Sequence, residues 1–123
     1  MLTGYYAAAL AVMYVALAFW VIRQRFRLRV GLGDGQQPDL IKAIRIHGNF
    51  AEYVPFMLLL LWMVEQQQAP SWQLHMLGGL ILGGRVLHCI GLWVSSGTSI
   101  PRFFGMISTF SALLLSAGFL ATR

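Results

Sequence analysis

Four polar side chains lie at helical spacing where an apolar segment begins. Lys42, Arg45, Asn49 and Glu52 are separated by three, four and three positions. On a helix they fall within about 80° of arc, so they form one stripe on one face. A charge placed in hydrocarbon costs roughly 2.5–3.5 kcal/mol. We therefore expect the stripe to face a polar pocket that is lined by protein and that can bind a ligand.

The composition places the chain in a membrane. Of its 123 residues, 58% are hydrophobic and 11% are charged, whereas a soluble domain has about 25% charged residues. The formal charge of +5 flanks apolar segments instead of covering a solvated face, which argues against nucleic-acid binding. The single cysteine, Cys89, excludes an intrachain disulfide and a multi-cysteine metal site. We expect no metal.

Apolar segments between short polar connections predict an all-α integral membrane protein with four membrane-spanning helices. One domain covers residues 1–123, and the predicted helices run over about 2–22, 40–64, 72–94 and 102–120. The first connection is predicted to begin at Arg23 and to contain four arginines at alternate positions. Asp39 is predicted to cap the second helix.

The distribution of basic residues predicts an orientation. The first connection carries four arginines and the third ends in Arg102, whereas the second has no Lys or Arg. Lys and Arg are enriched in cytoplasmic loops. We therefore expect the first and third connections on the cytoplasmic side and both termini on the opposite side.

Polar residues of three predicted helices fall at one depth. Most of the stripe on helix 2 lies near the first connection. Arg85 and His88 lie about 13 and 16 residues into helix 3, roughly 20–24 Å along its axis, and Arg102 begins helix 4 at the same side. This layer favours an anionic ligand that also forms hydrogen bonds. Its members are Arg45, Asn49, Glu52, Arg85, His88 and Arg102.

Each polar group also has a structural interpretation. Arg45 and Glu52 could form a buried ion pair within helix 2. Lys42 could extend to the membrane interface, and the arginines of the first connection are typical of an orientation signal that also contacts lipid headgroups. Structural or interfacial roles are favoured for His47, His75 and Cys89, none of which lies on the stripe.

Glycines are concentrated in helix 3. Gly79 and Gly83 form a small-xxx-small pair beside Gly78 and Gly84, a pattern that allows helix backbones to approach closely. We expect helix 3 to pack tightly within or between subunits.

The polar residues resemble the signature of the MAPEG family, the membrane-associated proteins in eicosanoid and glutathione metabolism. The segment Arg45-Ile-His-Gly-Asn-Phe-Ala-Glu-Tyr-Val-Pro55 is similar to the family's helix 2 pattern, Arg-x-His-x-Asn-x-x-Glu-x-x-Pro. Arg85-Val-Leu-His88 resembles its helix 3 motif, and Arg102 lies where the family has an arginine. Gly33-Asp-Gly35 is similar to the bacterial branch, and the likeness covers nearly the whole chain.

The resemblance implies a homotrimer in a bacterial inner membrane, with glutathione as co-substrate bound near the cytoplasmic face between subunits. It implies a glutathione transferase or peroxidase whose second substrate is a hydrophobic electrophile, such as a lipid hydroperoxide or epoxide, that arrives from the membrane lipids. Arg102 would be the catalytic residue and would favour the thiolate. The implied glutathione-binding residues are Arg45, Asn49, Glu52, Arg85 and His88.

Several positions depart from the mammalian pattern. Gly48 replaces a second arginine, and Leu92 replaces a tyrosine; Phe103, Phe104 and Met106 stand where serine and tyrosine occur. These differences leave open a non-catalytic protein of the same fold that binds a thiol or a lipid as a sensor or partner module. A small four-helix drug exporter is disfavoured, because that class uses a glutamate in its first helix and residues 2–22 contain no acid.

Overall fold

The computed structural model describes the backbone of residues 1–94 and 100–122 and the side chains of residues 1–91 and 100–122. Within those ranges it contains helices and no strand, so the predicted all-α fold is confirmed. The side chain of Leu92 and most of the predicted turn over residues 95–101 lie outside this description. The helices are α1 (Leu2–Leu28), α2 (Pro38–Gln66), α3 (Ser71–Val94) and α4 (Ile100–Ala121).

The first helix is longer than the sequence predicted. α1 continues through the arginine-rich segment to Leu28, because arginine is a good helix former and cations are favourable near a helix carboxyl end. Arg29 ends it in the left-handed conformation, with a φ of 57°. The Arg25 side chain then donates to the backbone oxygens of Val30 at 3.3 Å and Gly33 at 2.7 Å. The first connection is therefore short and attached to α1.

The second helix begins earlier than predicted, and Asp39 is not its cap. Pro38 occupies the first turn and the N-cap is Gln37, without a capping side-chain hydrogen bond. Proline suits this position because its backbone has no N–H group to leave unsatisfied. Asp39 lies inside the first turn, where a carboxylate is favourable next to the helix dipole.

Within the described residues, three helices are long and apolar enough to cross a membrane: α1, the Ser71–Gly91 part of α3, and α4. The sequence predicted four spans. α2 has 29 residues, which is sufficient length, but its polar stripe lowers its average hydropathy. Instead, α2 packs against all three other helices. Its buried residues recur at helical spacing and are Leu40, Ala43, Ile46, Phe50, Val54, Met57, Leu61 and Val64.

Glycines bring α3 and α4 together, but they are not the pair that the sequence predicted. A Cβ on Gly84 would lie 2.9 Å from the Cβ of Ser108, and one on Gly105 would lie 2.7 Å from the Gly84 oxygen. In contrast, a Cβ on Gly79 or Gly83 would meet nothing within 4 Å. The Gly79/Gly83 pair is therefore not a helix contact within the subunit, since it lies on the exposed side of α3.

At one end of the bundle, the beginning of α1 contacts α2 and α3. The Glu65 carboxylate at the end of α2 accepts hydrogen bonds from the backbone N–H groups of Leu2 at 2.6 Å and Thr3 at 3.1 Å. The hydroxyl of Tyr6 lies 2.8 Å from His75 Nδ1 on α3. These contacts align the beginning of α1 with the α2–α3 connection, so the other end carries the basic residues. We refer to that other end, where α1 and α3 end and α2 and α4 begin, as the basic end.

Candidate functional site

Arg85 on α3 is fully buried, with 0% of its surface exposed, and it lies at the centre of a cluster of polar side chains. Its guanidinium donates a hydrogen bond to Asn49 Oδ1 and another to Thr109 Oγ1 at 3.4 Å, and it lies 3.3 Å from His88 Nδ1. The guanidinium carbon is 6.0 Å from the ring centre of Tyr53, a distance at which a cation is attracted to an aromatic face. Side chains of α2 and α4, together with the next turn of α3, therefore surround one buried cation.

Asn49 links this buried cluster to the polar face of α2. Its side-chain oxygen accepts from Arg85, which leaves the Nδ2 group with two N–H donors. Asn49 is half-buried, one turn from the exposed Arg45. The amide is thus held in a defined orientation at the edge of the stripe.

Arg45 and Glu52 do not form the structural ion pair that the sequence left open. Both are exposed, and among the described residues neither makes a hydrogen bond or an ion pair. They lie two helical turns apart, about 10 Å along the axis. Gly48 lies between them, and a Cβ there would still be 4.0 Å from Glu52 Oε1, so the surface beside the carboxylate is open.

Arg102 and His88 bring α4 and α3 into the same layer. His88 is 1% exposed, and the positive charges of Arg85, Arg102 and Arg45 all act on it electrostatically. Arg102 is half-buried in the first turn of α4. Its backbone packs so tightly against α3 that a Cβ on Gly91 would overlap it. Arg85 and His88 of α3 therefore lie close to the first turn of α4, which carries Arg102.

The predicted site residues differ in burial and in the clefts that they line. Arg85 and His88 are buried behind Asn49, whereas Arg45 and Glu52 are exposed on α2. Lys42 separates from the stripe and lines a cleft of about 300 Å³ between α1 and α2. Arg45 lines a different cleft of about 270 Å³ together with Arg25, Gly33, Asp34, Ile41 and Ile44.

Two contributors to the cluster were missed by sequence analysis. Thr109 donates its hydroxyl to the Gly105 oxygen at 2.9 Å while accepting from Arg85. A lone threonine in an apolar helix carries no signal for such a role. Tyr53 follows Glu52 directly and lies one turn beyond Asn49, so helical spacing could have indicated it.

The described part of the chain has no group of three or more His, Cys, Asp and Glu side chains that could bind a metal ion. Around Arg102, Phe103 and Phe104 are exposed and stacked edge to face, with ring centres 5.7 Å apart. Met106 is half-buried. Charge and hydrogen bonding are thus the chemical resources of the site.

The fold and the site define a bundle of four helices, three of them apolar enough to cross a membrane, with polar residues of α2, α3 and α4 in contact. The sequence model of the MAPEG family matches residues 3–122, so the chain belongs to that family and the resemblance is confirmed. The chain is also similar to the inner membrane protein YecN of Escherichia coli K12, with 36% identity over 121 residues, 94% of this chain and 86% of that protein. YecN of Escherichia coli O6:H1 matches equally, at 36% identity. The relatives' name and the apolar helices support an integral protein of the inner membrane.

Proposed function

We propose that the protein binds glutathione in the membrane and acts as a glutathione transferase or peroxidase on hydrophobic electrophiles or lipid hydroperoxides. The observation that carries this proposal is the pair of exposed opposite charges, Arg45 and Glu52, on either side of the oriented Asn49 amide. Charged groups on a membrane helix require polar surroundings. A ligand with complementary charges supplies them.

The chemistry of glutathione matches this face. At neutral pH the tripeptide has two carboxylates, one ammonium group and two amides. Arg45 suits a carboxylate because its guanidinium can donate two parallel hydrogen bonds, Glu52 suits the ammonium group, and Asn49 Nδ2 suits a carbonyl or carboxylate oxygen. The family resemblance also assigns Arg85 and His88 to the ligand. Their burial favours a positioning role instead, in which Arg85 holds Asn49 and contacts His88.

Arg102 supplies the catalytic step in this proposal. A guanidinium beside a thiol favours the thiolate, which is the nucleophile. With an epoxide, an S–C bond forms while a C–O bond breaks, and the alkoxide takes up a proton. With a hydroperoxide, the thiolate attacks the terminal oxygen while the O–O bond breaks, which gives a sulfenic acid and an alkoxide that takes up a proton to become the alcohol. A second glutathione converts the sulfenic acid to the disulfide and water.

A homotrimer would complete the site. The polar face of α2 is exposed in one subunit, so a neighbouring subunit is needed to separate it from lipid.

We also propose that the basic end lies in the cytoplasm, because Arg23, Arg25, Arg27 and Arg29 belong to it. In a Cys89→Ala background, Gln37→Cys should react with an impermeant maleimide only after cells are lysed, and Gln67→Cys should react in intact cells. The reverse pattern would contradict the orientation.

The proposed activity is tested with purified protein in nanodiscs. Glutathione should bind in a calorimetric titration and produce the near-ultraviolet absorbance of a thiolate. Arg102→Ala should retain binding and lose that absorbance, whereas Arg45→Gln should weaken binding itself. Lack of a thiolate signal from the unaltered protein at saturating glutathione would contradict the catalytic proposal.

A second function is favoured by one observation. The first turn of α4 next to Arg102 presents Phe103 and Phe104 to the exterior and offers no hydroxyl group at positions 103–106. Arg102 would have to stabilise the sulfur without a hydroxyl donor from that turn. Glutathione binding without a thiolate signal would therefore support a non-catalytic protein that binds a thiol or lipid as a sensor or partner module.

A further inference from the structure

A second polar cleft opens between α1 and α2 at the basic end. It has a volume of about 300 Å³ and is lined by Trp20 and Gln24 of α1 and by Asp39 and Lys42 of α2. This size is at the lower limit of small-molecule pockets. Four residues from two helices, carrying an indole, an amide, a carboxylate and an ammonium group, thus share one concave surface.

The side chain of Arg27 organises one edge of this cleft. It donates to Asp39 Oδ2 at 2.8 Å and to Gln24 Oε1 at 2.7 Å. The Asp39 side chain remains 66% exposed, so its second carboxylate oxygen is accessible to another donor. Arg27 and Lys42 bring two positive charges to the cleft and its edge and Asp39 brings one negative charge, so the net charge is positive. The cleft therefore offers a cation for an anionic group and, beside it, a carboxylate for a cationic group.

The depth of the cleft is that of lipid headgroups. About 20 helical residues cross the hydrocarbon core of a bilayer, and α1 has 27 residues, from Leu2 to Leu28. If the helix enters at Leu2, Trp20 lies at the boundary of hydrocarbon and headgroups, where tryptophan is enriched. Gln24, Asp39 and Lys42 then lie in the headgroup layer.

This cleft is separate from the candidate glutathione site. Arg45 lines another cleft with Arg25 and residues of the first connection. Asn49 and Arg85 interact with each other towards α3 and α4. Arg45, Asn49 and Arg85 do not line the cleft that Trp20 and Lys42 share.

We propose that this cleft binds the headgroup of a zwitterionic phospholipid that carries a primary amine. Lys42 binds the phosphate, and the free oxygen of Asp39 accepts a hydrogen bond from the ammonium group. Trp20 packs beside the glycerol region. The occupant is a membrane lipid because the cleft opens at headgroup depth, and the amine is required because the carboxylate adjoins the cation.

Native mass spectrometry tests the proposal with protein exchanged into equal amounts of phosphatidylethanolamine and phosphatidylglycerol. The unaltered protein should retain phosphatidylethanolamine preferentially. Lys42→Gln should lower total retained phospholipid about two- to fivefold, the effect expected for one solvated ionic contact. Asp39→Asn should retain phospholipid but lose the preference for the amine. Arg23→Gln, which removes an exposed arginine of α1 outside this cleft, is the matched control and should behave as unaltered protein.

Folding is checked by circular dichroism, and Lys42→Arg, which keeps the charge, should restore retention. Equal retention of the two lipids by the unaltered protein would overturn the proposal. So would equal losses in Lys42→Gln and Arg23→Gln. If soluble phosphoethanolamine displaces the lipid at equal concentration, the cleft recognises a soluble ligand and the assignment to a membrane lipid is wrong.

Discussion

The guanidinium of Arg85 on α3 donates a hydrogen bond to the side-chain oxygen of Asn49 on α2. A fully buried cation thereby orients a half-buried amide, and the amide lies between the exposed charges of Arg45 and Glu52. This relationship connects the packing of the helices to the face that is available to a ligand.

Removal of the Asn49 side chain should affect both stability and binding. Asn49→Ala leaves the buried guanidinium without one acceptor, so it should lower the free energy of unfolding by about 1–3 kcal/mol. Asn49→Asp keeps an oxygen for Arg85 and should retain stability, but it loses the two N–H donors and should bind glutathione poorly. Chemical unfolding and calorimetry measure the two effects. An Asn49→Ala protein as stable as the original would show that the hydrogen bond holds nothing in place.

Neutralisation of the exposed charges should separate binding from folding. Arg45→Gln and Glu52→Gln remove side chains that make no hydrogen bond or ion pair among the described residues of the subunit, so the free energy of unfolding should change by no more than about 0.5 kcal/mol. Each should weaken glutathione binding roughly 10- to 100-fold, because a hydrogen bond to a charged group contributes about 1.5–3 kcal/mol. Stability losses that are coupled in the double variant, with binding unchanged, would restore the ion-pair interpretation.

The hydrogen bonds of Glu65 to the amino end of α1 should make stability depend on pH. Burial raises the pKa of the Glu65 carboxyl, but hydrogen bonds from Thr3 and Leu2 and the charge of the amino terminus outweigh burial, so the net pKa is lowered. A lowered pKa contributes stability above the ordinary pKa of about 4.3, and the contribution is lost as pH falls through the lowered value.

Glu65→Gln should therefore reduce stability at pH 7 by about 0.5–1 kcal/mol, the lower half of the range for helix caps. The difference between its thermal midpoint and that of the unaltered protein should shrink steadily as the pH falls below the ordinary carboxyl pKa. Glu65→Asp is the control, because it keeps the negative charge but shortens the side chain by one methylene group. A difference in midpoint that does not shrink on acidification would contradict the role of the carboxylate.

Glycines on the two sides of α3 should respond oppositely to alanine. At Gly91 a Cβ would overlap the backbone of Arg102, so Gly91→Ala should cost about 1–3 kcal/mol through overpacking and should displace Arg102. At Gly79 and Gly83 a Cβ meets nothing within 4 Å. Alanine there should be neutral or stabilise by about 0.5–1 kcal/mol. If Gly83→Ala destabilises strongly, that face of α3 packs against another subunit.

Much of the site could be predicted from local pattern. Spacing along α2 placed Arg45, Asn49 and Glu52 on one face, because helical periodicity depends only on the chain's own geometry. Counting residues from the ends of apolar segments placed Arg85 and Arg102 at the same depth. A fixed rise per residue makes such a count reliable over one span.

Features that depend on neighbouring helices were not predictable. The alternate arginines after Ile22 suggested a connection, but α1 continues to Leu28 because they also favour a helical carboxyl end. Gly79 and Gly83 matched a contact pattern, yet Gly84, Gly91 and Gly105 form the close contacts between α3 and α4. A spacing motif does not indicate which helix face meets a neighbour.

The sequence by itself determined the membrane class, the number of helices and the charged residues that fall at one depth, since these follow from hydropathy and helical periodicity. Only the tertiary structure decided that Arg85 is enclosed and holds Asn49 while Arg45 and Glu52 face outward, and that Lys42 belongs to another cleft. The physical reason is that burial depends on side chains contributed by distant segments. Periodicity orders residues around one helix, whereas packing between helices decides which of them are covered.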